Sequence, residues 1–327
     1  MLMHPSLFLV YLTLLFSILL VLSANSWFIV WMGLEMNLVF FVPLMLKKNN
    51  KYSNESSIKY FLIQTFASIL IISSALLLSE GVTVLEHILL GALFLKTGSA
   101  PFHQWLPSLV EGLSWDCLMI LFVLQKMGPL LLISFLLKKG VLHSLVYLVV
   151  SCSAVIGSLG GLMSASVRKI MAYSSISHMS WVLTSMMLSN FGWVSYYLVY
   201  CVVLICTLDL FAKMSVFSIN QLMMSSVKSR VISGASLLSL GGLPPFTGFV
   251  PKFMVSVMLL ENKSYFLFFV LLGGTFLSLF FYVRLVLVVA MLSTKNMIFK
   301  CEATVKTSKL ALNIMGLILP SLFFMVL

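Results

Sequence analysis

Residues 98–107 read GSAPFHQWLP, and residues 242–251 read GLPPFTGFVP. Aligned, the two stretches share Gly98 with Gly242, Pro101 with Pro245, Phe102 with Phe246 and Pro107 with Pro251, and Trp105 stands opposite Phe249. Every pair is separated by the same 144 positions. Proline removes a helix donor and crowds the preceding turn, and glycine releases the backbone further. Each stretch therefore breaks a helix, and both breaks lie in strongly apolar surroundings. In hydrocarbon an interrupted helix survives only where protein or water satisfies the freed groups. Matched interruptions in two halves of a chain are the arrangement of transporters built from internal repeats.

The surroundings are apolar throughout the chain. Of 327 residues, 61% are hydrophobic and 9% charged, where a soluble domain carries about 25% charged residues. Mean hydropathy is +1.12. Too little polar surface exists to cover a water-facing globule, so most of this chain is solvated by lipid.

A membrane-crossing helix needs ~20 mostly apolar residues. Such runs fall at 5–23, 26–46, 58–79, 82–99, 117–137, 142–163, 169–189, 192–213, 233–260, 264–292 and 308–327, which predicts an all-α polytopic membrane protein with about 11 transmembrane helices. The first break ends the fourth span and the second interrupts the ninth. Five spans, an odd number, separate them, so the copies are expected in opposite orientation. This predicts an inverted five-helix repeat in one membrane domain: 1–140 as the first half, 141–292 as the second, and 293–327 as a C-terminal loop and last helix. Loop 100–116 is amphipathic and rich in aromatics, and is expected at the interface or re-entering the membrane. The apolar N-terminal run is too long for a signal-peptide core and lacks a basic flank, so it reads as the first membrane helix, with no cleaved segment expected.

Loop charge sets orientation. Alternate loops put Lys47, Lys48, Lys51, Lys59, Arg168, Lys169, Lys213, Lys228, Arg230, Lys295, Lys300, Lys306 and Lys309 on one side and only Lys138, Lys139 and Lys263 on the other. The positive-inside rule then places the N-terminus on the positive side and the C-terminus opposite. The same distribution explains the net charge of +11 without nucleic acid, since no basic stretch sits on a soluble module. The five cysteines, Cys117, Cys152, Cys201, Cys206 and Cys301, form no CxxC pair and have no histidine cluster beside them. Zinc, iron–sulfur and haem ligation are therefore not expected.

Charge inside a span costs at least ~2.5 kcal/mol and marks a functional candidate. Glu35 lies mid-span in WFIVWMGLEMNLVFFV, where the plain alternative is a protonated structural carboxyl. Lys96 lies in LLGALFLKTGSAP just before the first break, and Lys252 in LPPFTGFVPKFMVSVMLL just after the second. Lys126 lies mid-span in CLMILFVLQKMGPLLLISFLL. For a lysine the plain alternative is snorkelling to the interface, hardest from Lys126. Loss of hydration weakens a lysine's hold on its proton and a nearby carboxylate restores it, so lysines and a glutamate on different helices can form a relay. In the seventh span Ser174, Ser177, His178, Trp181 and Ser185 share one face. There His178 is a candidate carrier, with a serine seam between helices as the alternative. Asp209 and Lys213, four apart near a helix end, read as an interfacial ion pair. Arg284, Glu86 and His87 are weaker interior candidates.

In this order WMGLEMN, LKTGSAPFHQWLP, LQKMGP, AYSSISHMSW and GGLPPFTGFVPK resemble the subunit 2 family of mitochondrial NADH:ubiquinone oxidoreductase, respiratory complex I. That family is one branch of the antiporter-like membrane subunits shared with multi-subunit cation/proton antiporters. The resemblance covers essentially the whole chain, and 21 methionines fit a mitochondrially encoded product. It implies a proton-translocating subunit of the inner mitochondrial membrane, with Glu35 and Lys96 as a pair, Lys126 connecting two half-channels and Lys252 on the second broken helix. His178 then falls on a polar axis. It also implies partners among the other complex I subunits, adjacent membrane-arm subunits and membrane lipids, with no nucleic acid. No cofactor is implied for this chain: NAD, FMN, iron–sulfur clusters and ubiquinone belong elsewhere in the complex. The wider family usually has three more N-terminal helices, so a side of this bundle is expected to be covered by neighbours or lipid. Two alternatives stay open from sequence: a free-standing cation/proton antiporter, and a purely structural subunit of the membrane arm.

Overall fold

The computed structural model describes residues 5–46, 50–77, 83–137, 143–189, 191–222, 227–244 and 246–291. Among these it is helical, with one isolated bridge, between Ser166 and Ser218, as the sole β pairing. The helices are α1 (Pro5–Ser23), α2 (Trp27–Met45), α3 (Lys51–Leu77), α4 (Thr83–Thr97), α5 (Trp105–Val110), α6 (Trp115–Leu137) and α7 (His143–Met163). They continue with α8 (Val167–Leu188), α9 (Gly192–Met214), α10 (Ile219–Leu222), α11 (Val227–Gly241), α12 (Phe249–Glu261) and α13 (Tyr265–Met291).

Two compact units divide the chain, Met1–Val146 and Tyr147–Leu327. In the first, α1 packs on α2, α2 on α3, and α3 on α4 and α5; α6 closes against α1, α2 and α4. In the second, α8 packs against α9, α12 and α13, and α11 against α9 and α13.

The distribution of polarity is inverted relative to a water-soluble protein. Phe61, Leu62, Phe66 and Ile69 of α3 are exposed, whereas Ser53, Ser56, Ser57, Tyr60, Gln64, Ser68 and Ser74 of the same helix are buried. These buried positions recur at three- and four-residue spacing, one stripe of a helix. On α13, Phe266, Phe269, Phe276 and Phe280 are exposed and Ser278 is buried. An outside of phenylalanine and leucine over an inside of serine is stable only in an apolar solvent. Six helices among the described residues are both long and apolar enough to cross a membrane: α2, α3, α6, α7, α9 and α13.

Several boundaries differ from expectation. Helix α3 begins at Lys51, seven positions before the apolar run, because Asn50 closes its first turn: the Tyr52 amide donates to Asn50 Oδ1 at 3.1 Å. Loop 100–116 contains α5, whose Trp105, Leu106, Pro107, Leu109 and Val110 are buried. The ninth span is two helices, α11 and α12. The eleventh predicted span and the loop before it lie outside the described residues.

Glycine sets the closest approaches. A Cβ on Gly160 of α7 would run into the Tyr173 ring of α8, and one on Gly157 would lie 2.7 Å from the Ser177 amide nitrogen.

Candidate functional site

The two breaks are built alike. Helix α4 ends at Thr97 and α5 starts at Trp105; α11 ends at Gly241 and α12 starts at Phe249. Both ends and both starts are 144 residues apart. Gly98 and Gly242, the first residues beyond the helix ends, have φ of 70° and 79°, left-handed values that glycine adopts without strain. The Ser99 amide donates to the Phe94 carbonyl at 3.2 Å and the Leu243 amide to the Leu238 carbonyl at 3.4 Å. These are the long-range bonds of a glycine-terminated helix end. After each turn the next helix returns a side-chain donor to the last carbonyls of the helix before it. At the first break Trp105 Nε1 donates to Leu95 O at 3.1 Å. At the second, Lys252 Nζ donates to Gly241 O at 2.8 Å and Leu240 O at 3.3 Å. Those carbonyls have no donor within their own helix and form the negative end of the α11 dipole.

Within the first unit, Lys96 and Lys126 line one cavity, together with the neutral polar residues Asn37, Tyr60, Gln64, Thr97 and Gln125. The cavity is wide enough to hold a water molecule. Lys96 is the penultimate residue of α4 and Lys126 is at the centre of α6; both are buried. The Lys126 ammonium lies 5.7 Å from the centre of the Phe122 ring. Glu35, at mid-helix in α2, is partly buried. It is the carboxylate within electrostatic reach of Lys96, although the two form no ion pair within 4.0 Å and Glu35 is not among the residues lining the cavity.

A second cavity, within the second unit, brings His178 and Lys252 together with Ser177, Ser180, Thr275 and Ser278. His178 is buried, and its Nδ1 is 3.1 Å from the Tyr196 hydroxyl. Its ring centre is 4.8 Å from that of Tyr200. Both cavities thus place a cation-forming side chain from before or after a break beside a second titratable group on a neighbouring helix.

Several residues proved to be elsewhere. The hydroxyls of Ser174, Ser177 and Ser185 donate to carbonyls of α8 itself, at 2.7–2.8 Å. The nearest carbonyl, one turn back, captures the proton. Arg284 caps a helix end: its two terminal nitrogens donate to Leu162 O at 2.9 Å and Ser164 O at 3.0 Å. Asp209 and Lys213 form the expected ion pair at 3.1 Å. Glu86 and His87 are partly buried on α4. Asn37, Tyr60, Gln64 and Gln125 were missed from the sequence because none carries charge. The signal was present in Gln125 beside Lys126, in Asn37 two residues after Glu35, and in the polar stripe of α3.

Two matched broken helices, buried lysines in polar cavities and a lipid-facing apolar exterior define a polytopic membrane subunit of the antiporter type. The family model described as "NADH:quinone oxidoreductase/Mrp antiporter, TM" matches residues 24–86 and 72–278. NADH-ubiquinone oxidoreductase chain 2 of Anopheles gambiae is 39% identical over 284 residues, covering 83% of this chain and 82% of the relative. The same-named protein of Aedes aegypti is 36% identical over 328 residues, covering 94% and 95%. A chain of respiratory complex I from Thermus thermophilus has the same fold, with a TM-score of 0.79 at 19% identity over 95% of this chain and 76% of that one. The chain belongs to the NADH-ubiquinone oxidoreductase chain 2 family.

Proposed function

We propose that this chain is the proton-carrying membrane-arm subunit of an NADH:ubiquinone oxidoreductase in the inner mitochondrial membrane, moving protons through Glu35, Lys96, Lys126, His178 and Lys252. The observation that carries the reading is the pair of cavities, one shared by the buried Lys96 and Lys126 and the other by the buried His178 and Lys252. Ammonium groups in an apolar interior are costly, and their presence there marks a path for charge.

Weakening the influence of Glu35 on Lys96 lowers the proton affinity of that lysine and passes a proton toward Lys126; Lys252 and His178 serve the second half in the same way. The two halves are read as inverted repeats, which the common 144-residue offset of the helix ends supports. The excess of loop lysines on one side supports a matrix-facing N-terminus. In this reading the chain holds no redox centre. NAD, FMN, iron–sulfur clusters and ubiquinone act in other subunits, and adjacent membrane-arm subunits and lipid cover its apolar sides.

The test is the intact complex carrying Lys126→Ala or Glu35→Gln, reconstituted in liposomes. Protons translocated per NADH oxidised are expected to fall. An assembled enzyme with an unchanged ratio for both variants overturns the relay.

A further inference from the structure

The cavity of Lys96 and Lys126 has a wall of neutral groups whose hydrogen bonds run in one direction. The Tyr60 hydroxyl donates to Gln125 Oε1 at 3.0 Å, and Gln125 Nε2 donates to Asn37 Oδ1 at 2.9 Å. Tyr60 belongs to α3, Gln125 to α6 and Asn37 to α2, so one amide ties three helices. Both ends of that amide are committed, which fixes its orientation. Gln125 directly precedes Lys126, and Asn37 lies two residues beyond Glu35. The bond between them therefore sets the register of the carboxylate-bearing helix against the lysine-bearing helix.

The backbone adds a second feature at the same residue. Pro129 of α6 has no amide hydrogen for the Gln125 carbonyl four residues back. Gln125 and Pro129 both line the cavity, so the stretch of α6 that loses this helical bond forms part of its wall. A side-chain amide does not titrate, so this chain of groups is not itself a proton path. What it offers is a fixed acceptor-rich rim beside two ammonium groups, with space for a water molecule.

We infer that Gln125 is a positioning residue of the proton path: clamped by Tyr60 and Asn37, it holds α2 in register with α6 and, through its main-chain carbonyl, seats the water that joins Lys96 to Lys126. This rests on the relay reading of those two lysines.

The experiment compares three forms of the intact complex in liposomes: Gln125→Leu, Tyr60→Phe and the double variant Asn37→Leu/Gln125→Leu. Gln125→Leu is expected to lose protons translocated per NADH, and Tyr60→Phe, which removes one oxygen and keeps the ring, to show a smaller loss. If Gln125→Leu fails to assemble, Tyr60→Phe carries the readout. The double variant separates positioning from packing, since removing both partners of a buried pair leaves no orphaned polar group. A positioning role predicts that the double variant assembles and stays poorly coupled. Restoration of the parental ratio in the double variant overturns the inference, as does an unchanged ratio in Gln125→Leu or, where that variant does not assemble, in Tyr60→Phe. Loss of coupling in Lys126→Ala without loss in these variants removes this inference alone, whereas full coupling in all of them removes the relay as well.

Discussion

Lys252 donates from Nζ to the carbonyl of Gly241 at 2.8 Å, so the lysine after the second break is held by the end of the helix before it. Gly242 makes this possible in two ways. Its φ of 79° turns the chain out of α11, and its missing side chain leaves room for the lysine, since a Cβ there would lie 2.8 Å from Lys252 Cδ and 3.1 Å from Nζ. Gly242→Ala is expected to displace Lys252 from its carbonyls and to cost about 1–2 kcal/mol in left-handed strain alone. Protons per NADH should fall in the assembled complex, and an unchanged ratio would show that the Gly241 contact is dispensable.

Lys126 is 2% exposed at the centre of α6, so its replacement separates function from stability. Lys126→Met keeps the unbranched stem, one heavy atom shorter, and removes a buried charge. Removing an ammonium held in an apolar interior removes its desolvation cost. The expected outcome is a complex that assembles normally, melts at the same temperature or higher, and translocates fewer protons. Thermal denaturation alongside proton translocation checks both parts.

Arg284 gives the opposite pattern. Its two bonds to the Leu162 and Ser164 carbonyls finish α7. Bonds to a charged donor contribute about 1.5–3 kcal/mol each, so Arg284→Met should reduce assembly or lower the melting temperature. The fraction that assembles should keep the parental proton ratio; a changed ratio would bring Arg284 into the proton path.

Close approach of α7 to α8 predicts a purely steric effect. Gly160→Ala would drive a methyl into the Tyr173 ring. Overpacking of this kind costs about 1–3 kcal/mol, and Gly160→Leu should be worse. Yield of assembled complex in membranes, read on native gels, is the measurement, with a normal yield for Gly160→Leu counting against the packing.

Hydropathy and two proline-glycine signatures were enough to locate most of the helices and both breaks, because lipid imposes a long apolar run on every spanning helix. The same reasoning placed α3 too late. Its first turns, KYSNESS, are polar, and hydropathy carries no trace of the inward facing of Ser53, Ser56 and Ser57. Lys96, Lys126 and Lys252 were legible because charge in hydrocarbon has few explanations. Gln125 and Asn37 were not, since an uncharged amide in an apolar run carries little signal until a partner 88 positions away is brought beside it. Arg284 was visible as a charge, but its role as a helix cap depended on a contact 122 residues distant.

The six hydroxyls of α8 between Ser174 and Ser185 all give their hydrogens to carbonyls of their own helix. Such a helix face has its hydroxyl dipoles already committed and no proton on offer, and Ser177 and Ser180 bring it to the cavity of His178 and Lys252. Electrically it behaves as a dielectric and not as a wire: it screens a charge passing nearby while conducting nothing at rest. Conduction past α8 then requires a hydroxyl to rotate off its carbonyl or a water to intrude, and each event can be withdrawn. A membrane that stores a voltage needs insulation of this kind around any path that spends it, and in the proposed relay the hydroxyls of α8 would supply it from within the same helix that carries His178.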